Sequence, residues 1–400
     1  MKLSVDQIAN IESEILKQVR ACPGISRIEL SRKLQLAPST VGNYVSRLII
    51  EGFLGESAQA GSEAGRPPTA LRLDPEGGQF IGVDFEARNI MAMAVDFSDR
   101  PLKQAHKSIR ESDTVEQIIQ KIEQAIVEVL PDSKSRFLAI GVGVPGFVDP
   151  RKGIAIHYKY LNNWRNVALA EPLAKRFGVP VYLENNVRSM ALAEMWFGQG
   201  KGVEDFLCIG IRSGIGAGIV AGGQQQRGAE YRAGEIGRWR CPWPRRPAAR
   251  FFRSGSASAV DVELQEVASV RAIVEALERA RRSKEKSLLT AQSQPLIFAD
   301  VERAARQRDR LTVQVIEFAA EILGWAVADL ALALNPSRII LAGPLTVLGD
   351  TLLNPLRARA EEILRASQAA VPSIVNSTMG EYCGALGAAA LAVHEWKPTR

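Results

Sequence analysis

Apolar residues recur with a helical period in three separate blocks of the first fifty positions. Ile8, Ile11, Ile15, Leu16 and Val19 fall on one face of a stretch over 6–20. Leu30 and Leu34 form a second, shorter stripe. Val41, Val45, Leu48 and Ile49 form a third, at i, i+4, i+7 and i+8. Polar residues punctuate them. Ser26 is a helix-entrance acceptor, and Glu29, three residues on, completes a capping box. Gln35, Leu36 and Ala37 make a turn, and Pro38 suits the first helical position, where its missing N–H costs nothing. Gly52 can end the third helix. Two strand-like runs, over 53–56 and 69–74, flank a polar tip, AQAGSEAGRPP. Three helices and a two-stranded wing predict a winged helix-turn-helix over 1–75.

The face of the third helix opposite its stripe carries Ser39, Thr40, Asn43, Tyr44 and Arg47. Short hydroxyls, an amide, an aromatic and a guanidinium are the types that hydrogen-bond base edges and phosphates. Arg27 adds a phosphate contact from the preceding helix. Arg66, between Gly65 and Pro67, sits where a wing would reach a minor groove. Double-stranded DNA is the expected partner. The alternative is a helical module that docks on another protein, with this polar face solvated; the weakly basic charge of 1–75 fits either.

From position 79 the period changes. FIGVDF (80–85), IMAMAVDF (90–97), FLAIGVGVPGFVD (137–149), VPVYLENN (179–186), FLCIGIRSGIGAGIV (206–220) and RIILAGPL (338–345) read as strands. Helical patterns lie between them over 114–130, 187–198, 268–280 and 313–334. Strands that end in glycines and polar residues make ligand sites at the carboxyl edge of a sheet.

Composition narrows the class. A chain of 400 residues exceeds a DNA-reading module and implies two or three domains at roughly 100–200 residues each. The net charge of +6 suggests a polyanion partner without establishing one. Cys22, Cys208, Cys241 and Cys383 contain no CxxC pair, which argues against a disulfide framework or a thiolate zinc site and for a reducing compartment. The start of the chain is unlike a signal peptide. The most apolar helical run, WAVADLALAL at 325–334, holds Asp329 and falls short of the ~20 residues that span a bilayer. A soluble cytoplasmic protein with no membrane partner is expected.

Five ordered strings then carry a resemblance: IGVGVPGFVD at 140–149, LNNW at 161–164, ENN at 184–186, SGIGAGIV at 213–220 and AGEIG at 233–237. Behind a winged helix, they resemble the ROK family, named for repressors, open reading frames and kinases. The resemblance implies an α/β, actin-like (ribonuclease H-like) domain of two lobes around a sugar-binding cleft, with ATP beside the sugar in kinase members. It places a sugar-sensing domain at 76–400. Lobe 1 spans about 76–184 plus the C-terminal helix at about 381–397, and lobe 2 about 185–380.

Departures from the family pattern bear on function. The family's Asp-x-Gly-Gly-Thr phosphate loop is replaced by Asp84, Phe85, Glu86, Ala87 and Arg88. A phosphate cradle needs close backbone N–H groups, which glycine allows, and Glu86 would repel the anion. In the second loop Arg212, Ser213, Gly214, Ile215 and Gly216 stand for Gly-Thr-Gly-x-Gly, and the adenine side keeps Ala342, Gly343 and Pro344. The catalytic Asp is Asn186, which can hold a hydroxyl but cannot take its proton. The zinc motif has lost its His to Arg238 and keeps only Cys241 among its thiols. Trp239, Trp243, Phe251 and Phe252 are expected to fill that place.

The expected function is therefore a DNA-binding repressor of carbohydrate metabolism genes, a homodimer or higher homo-oligomer on a palindromic operator. It is expected to lack kinase activity, zinc and bound ATP. Two alternatives stay open: an active sugar kinase with a DNA-binding appendage, and a constitutive DNA-binding protein with a vestigial pocket. Effector residues are expected at Asn185, Asn186, Glu235, Arg238 and Arg250. Asn185 and Asn186 can equally be a helix cap, and Glu235 a salt bridge. The segment between Glu235 and Asp261 has arginines and no acidic residue. Those arginines hold an anionic effector, line a solvated loop, or meet DNA phosphates or an acidic partner face.

Overall fold

The capping box at Ser26 forms as read: Glu29 N donates to Ser26 Oγ at 3.3 Å, and Ser26 N donates to Glu29 Oε2 at 2.8 Å. It opens the second of three helices. The computed structural model describes residues 5–58, 69–132, 135–244, 246–252, 262–282, 285–291 and 294–398. Arg66, expected at the wing, lies outside them. The chain begins with α1 (Val5–Ala21), α2 (Arg27–Leu34) and α3 (Pro38–Ile50), then the antiparallel pair β1 (Leu54–Ala58) and β2 (Thr69–Leu73). Gln35 turns left-handed at φ 54° between α2 and α3, and Gly52 at φ 77° leads out of α3.

All three stripes point inward, with Ile15, Leu16, Val19, Leu30, Val41, Val45 and Leu48 buried. Their core does not close on itself. It continues into Phe80, Met91, Met93, Val95 and Phe97 of the next sheet, and into Trp396. Arg20 adds an ion pair to Asp99 at 2.7 Å and donates to Phe97 O at 3.0 Å. The winged module is seated on the following lobe by a shared apolar core.

Lobe 1 holds β3 (Gln79–Phe85), β4 (Asn89–Asp96), β5 (Pro101–Ser108), α4 (Val115–Val129) and β6 (Phe137–Val144). A small sheet follows, β7 (Phe147–Asp149), β8 (Ile154–His157) and β9 (Arg165–Ala168), then α5 (Ala170–Phe177), β10 (Val181–Asn185) and α6 (Asn186–Phe197). Lobe 2 holds β11 (Phe206–Ile211), β12 (Ile215–Ala221), β13 (Gln224–Gln226), α7 (Gln265–Ala268), α8 (Val270–Arg281), α9 (Phe298–Arg306) and α10 (Arg310–Leu334). It ends with β14 (Arg338–Ala342), α11 (Asp350–Ala366) and β15 (Ser373–Asn376), and α12 (Cys383–Glu395) follows.

The strand orders are β10-β6-β3-β4-β5 and β13-β12-β11-β14-β15. Each sheet adds two parallel strands to one side of an antiparallel meander. The carboxyl ends of the parallel strands converge on a cleft between the lobes, the place where such sheets bind ligands. α12 lies on β3 and β6 with almost no gap. A Cβ on Gly82 would stand 2.0 Å from Ala385 O, and one on Gly141 1.8 Å from Ala388 O, so only glycine fits under this helix. Among the described residues no helix is long and apolar enough to cross a membrane.

Candidate functional site

Two sites emerge, one on α3 and one in the cleft. On α3, Ser39, Asn43, Ser46 and Ile50 are exposed and Thr40 is half-buried. At i, i+4, i+7 and i+11 the exposed four make one outward row. Ser46 was missed by the sequence reading, although the spacing from Ser39 and Asn43 points to it. Tyr44 is a correction. It lies in the core, 8% exposed, because its ring packs with Val41, Val45 and Leu48. Arg47 stacks on the Tyr44 ring at 4.9 Å and pairs with the buried Glu12 of α1 at 2.6 Å. Arg27 is held too, by Glu56 at 2.9 Å, Gly42 O at 3.0 Å and Ser46 Oγ at 2.9 Å. Both arginines brace the module in this conformation, so the outward face is narrower than the sequence suggested.

The cleft contains two cavities. The smaller, about 80 Å³, is lined by Pro145 to Phe147, His157 to Tyr160, Asn185 to Val187, Gly214 to Ala217, Ala233 to Glu235, and also Glu86, Arg212, Arg238 and Gln265. At the ~30 Å³ that a water takes up in the liquid, its enclosed part has room for about two or three waters, and it opens to solvent. Four of the five expected effector residues meet there. Arg250 does not. It sits on a 3₁₀ turn over 247–251, exposed, ion-paired to Glu285, with its guanidinium over the Phe251 ring. Phe251 and Phe252 take the inward direction at that turn, and Phe252 meets Phe318 at 5.2 Å. Arg246 is likewise spent on Glu321 at 3.0 Å.

Asn185 is a helix cap. Its Oδ1 accepts from Val187 N at 3.0 Å and Arg188 N at 3.2 Å, and its Nδ2 donates to Gly146 O at 3.0 Å. Asn186 donates to Phe85 O at 3.4 Å and lines the cavity. Burial pushes the Glu235 carboxyl up, against the pull of Arg188, Arg238 and Arg232. Arg232 and Arg238 both stack on the Phe147 ring, at 4.7 and 4.9 Å, beside the mouth. Burial, and then Arg165 and Arg238, hold His157 below the ordinary histidine range.

The larger cavity, about 750 Å³, lies between Glu86–Asn89 of lobe 1 and Val270, Val274 and Leu296–Phe298 of lobe 2. Glu86, Lys159 and Tyr160 line both, and Glu86 neighbours an ion pair. Arg212 Nη1 donates to Asp84 Oδ1 at 3.0 Å, Nη2 meets Asp84 Oδ2 at 2.5 Å, and Nε stands 3.7 Å from Glu86. Burial pushes the Asp84 carboxyl up and Arg212 pulls it back. Burial would lower the Arg212 guanidinium, but Asp84 and Glu86 drive it well above its ordinary value. The fork joins the end of β3 to the β11–β12 turn.

A winged helix-turn-helix DNA-binding family matches residues 9–54, and the ROK family matches residues 80–395. The chain belongs to the ROK family. It is 30% identical over 350 residues to a putative xylose repressor of Caldicellulosiruptor sp. (strain Rt8B.4), covering 86% of this chain and 85% of that one. A ROK family transcriptional regulator, a homolog of E. coli MLC protein, shares the fold over 97% of both chains, with TM-score 0.77 and 24% identity. A ROK family glucokinase from Streptomyces griseus, in complex with glucose and AMPPNP, superposes with TM-score 0.68 at 27% identity over 79% of this chain and 99% of that one.

The family resemblance assigns one position to ATP and one to zinc. At the first, Arg212 and Asp84 pair with each other across the two loops. At the zinc position Arg238 offers no lone pair. Burial pushes the Cys241 thiol up to about 11, and Cys241 Sγ donates to Val262 O at 3.3 Å. Trp243 packs on Phe318 at 5.4 Å beside it, while Trp239 stays 37% exposed.

Proposed function

We propose that this ROK chain is a sugar-responsive, DNA-binding transcriptional repressor of carbohydrate metabolism genes that does not phosphorylate its sugar. The observation that carries the non-kinase reading is the Arg212–Asp84 fork. A phosphoryl transfer enzyme has to bring both loops to the nucleotide, and here each loop is bound to the other. Asn186 compounds the loss, since general-base help is worth ~100–10,000-fold and an amide cannot supply it. The winged helix and the likeness to repressors over most of the chain support the DNA-binding half.

The effector is a sugar or sugar derivative in the smaller cavity, held by Asn186, Glu235 and Arg238. The mouth favours an anionic one, a sugar acid or sugar phosphate. Arg238 lines the cavity, Arg232 shares its aromatic perch, and a guanidinium fork suits carboxylate or phosphate. Arg250 has no part in this. A homodimer places two outward α3 rows on a palindromic operator.

The test is a thermal-shift panel of xylose, glucose and N-acetylglucosamine, each with its phosphate or acid, run beside an ADP-release assay with ATP. Saturating effector at 100 times its Kd is expected to add about 2.7 kcal/mol, a rise of several degrees at about 2–4 °C per kcal/mol. The phosphate or acid of one sugar should act at lower concentration than the neutral sugar, and Arg238→Ala should remove that difference. Sugar-dependent ADP formation would overturn the regulator reading.

A further inference from the structure

Arg227 leaves the loop that roofs the smaller cavity and reaches two carboxylates on two other elements. Its Nε lies 2.7 Å from Glu184 Oε2, and its Nη2 lies 3.1 Å from Glu395 Oε1. Glu184 ends lobe 1 strand β10 beside Asn185 and is fully buried. Its other oxygen accepts from Arg188 Nε at 2.7 Å, and Arg188 Nη1 donates to Ala233 O at 3.4 Å. Ala233 stands two residues before Glu235, and Ala233 N donates back to Arg227 O at 3.1 Å. The roof is thus strapped to one buried carboxylate at both of its ends.

The second carboxylate leads away from the cleft. Glu395 ends α12, and the next residue, Trp396, is 6% exposed. Its ring stands 5.4 Å from Phe53, 5.7 Å from Phe80 and 5.9 Å from Phe97, and its carbonyl accepts from Ser13 Oγ of α1 at 3.5 Å. Phe53 joins α3 to β1, so Trp396 touches the winged module at its first helix and at the link that follows its third. Two other cross-links among the described residues are shorter in reach. Arg212–Asp84 joins the lobes without touching that module, and Arg20–Asp99 joins the module to lobe 1 without touching the cavity.

We infer that Arg227 is the positioning residue that couples effector binding in the cleft to the seat of the DNA-binding module. The inference rests on the sugar-sensor reading above. A ligand that shifts the roof moves the guanidinium. Glu184, fully buried, holds its end of the fork, so the adjustment falls on the half-exposed Glu395. A charge-assisted bond of about 2.7–2.9 Å weakens steeply when stretched or bent, so a small displacement releases or tightens the end of α12, and Trp396 follows.

The test uses the full chain, duplex DNA selected from a random pool by the wild type, and D-xylose, D-glucose and glucose 6-phosphate as sugar probes. In the wild type, the active probe is expected to change duplex affinity by about 5–150-fold, the usual range of allosteric coupling. Arg227→Met should bring that ratio to within about twofold of one, while its probe affinity and its probe-free duplex affinity stay within about threefold of wild type. Arg227→Lys, which keeps the charge, should retain part of the response. Arg227→Met with Glu395→Gln should be no worse than Arg227→Met alone, as residues on one path are non-additive. If Arg227→Met fails to fold, Glu395→Gln carries the same test. A full response in the variant overturns the inference, and so does loss of probe binding, which would make Arg227 a pocket residue. A wild type whose duplex affinity responds to no probe fails one step earlier, at the sensor reading, and removes this one with it.

Discussion

Arg212 brings a charge to the turn where a ROK kinase would meet phosphates, and Asp84 answers it from the opposite lobe. Removing one member of a buried pair leaves the other uncompensated, at about 3–5 kcal/mol, whereas replacing both with apolar groups is often close to neutral. Asp84→Ala should therefore lower the urea midpoint sharply, softened by Glu86 as second acceptor. Asp84→Leu with Arg212→Met should recover most of the loss. Equal losses in single and double variants would mean that the pair contributes only volume. At this scale the sequence was legible in where a motif puts a residue, since Asn186, Glu235 and Arg238 line one cavity. It misled for Arg250, because alignment through a loop without its cysteines cannot tell which of Arg250, Phe251 and Phe252 turns inward. Asn185 was open between ligand and cap, and its bonds to Val187 and Arg188 make it a cap.

At the scale of the element, α3 separates a reading face from a bracing face. Asn43→Ala and Ser39→Ala change exposed side chains and are expected to weaken binding to a selected duplex, by about 1–3 kcal/mol at a position that reads a base, with unfolding unchanged. Tyr44→Ala should instead destabilise the fold by about 3 kcal/mol, as large-to-small core changes do. Duplex titration and chemical denaturation of the three variants separate the two faces, and a destabilising Asn43→Ala would contradict the assignment. The helical period located α3, but a hydroxyl tip made Tyr44 read as polar although most of its surface is apolar ring. Arg47 was drawn inward by Glu12 of α1, a partner that no spacing within α3 reveals. The helices α6 and α12 are buried on nearly every side, so they show length but no stripe, and their packing partners could not be read from periodicity.

For the whole molecule, the shared core makes the winged module and lobe 1 one cooperative unit. Trp396→Ala removes the ring that packs on Phe53, Phe80 and Phe97, and should cost about 3–5 kcal/mol. More specifically, calorimetry should show the winged module melting ahead of the rest, since its seat is lost while lobe 2 is untouched. A single transition shifted as a whole would show that other contacts, such as Arg20–Asp99, hold the unit together. This joint was invisible in the sequence because its members are scattered along the chain. The two-lobed plan itself was legible only through ordered strings such as ENN and AGEIG, since strand patterns alone do not fix how two sheets face each other.

The seating of Ser13 beneath Trp396 joins residues 383 positions apart. At ~5–20 residues per second, a ribosome needs roughly 20–80 s to make that much chain. Once β6 has been made, α1 to α3 can form, yet the glycine-floored groove on β3 and β6 lies open for the rest of that interval, because the helix that fills it has not been made. The winged module emerges first and is seated last. A nascent chain therefore carries a DNA-reading helix for most of its synthesis before it carries the part that holds that helix in place, and the groove exposed meanwhile is a natural place for a chaperone.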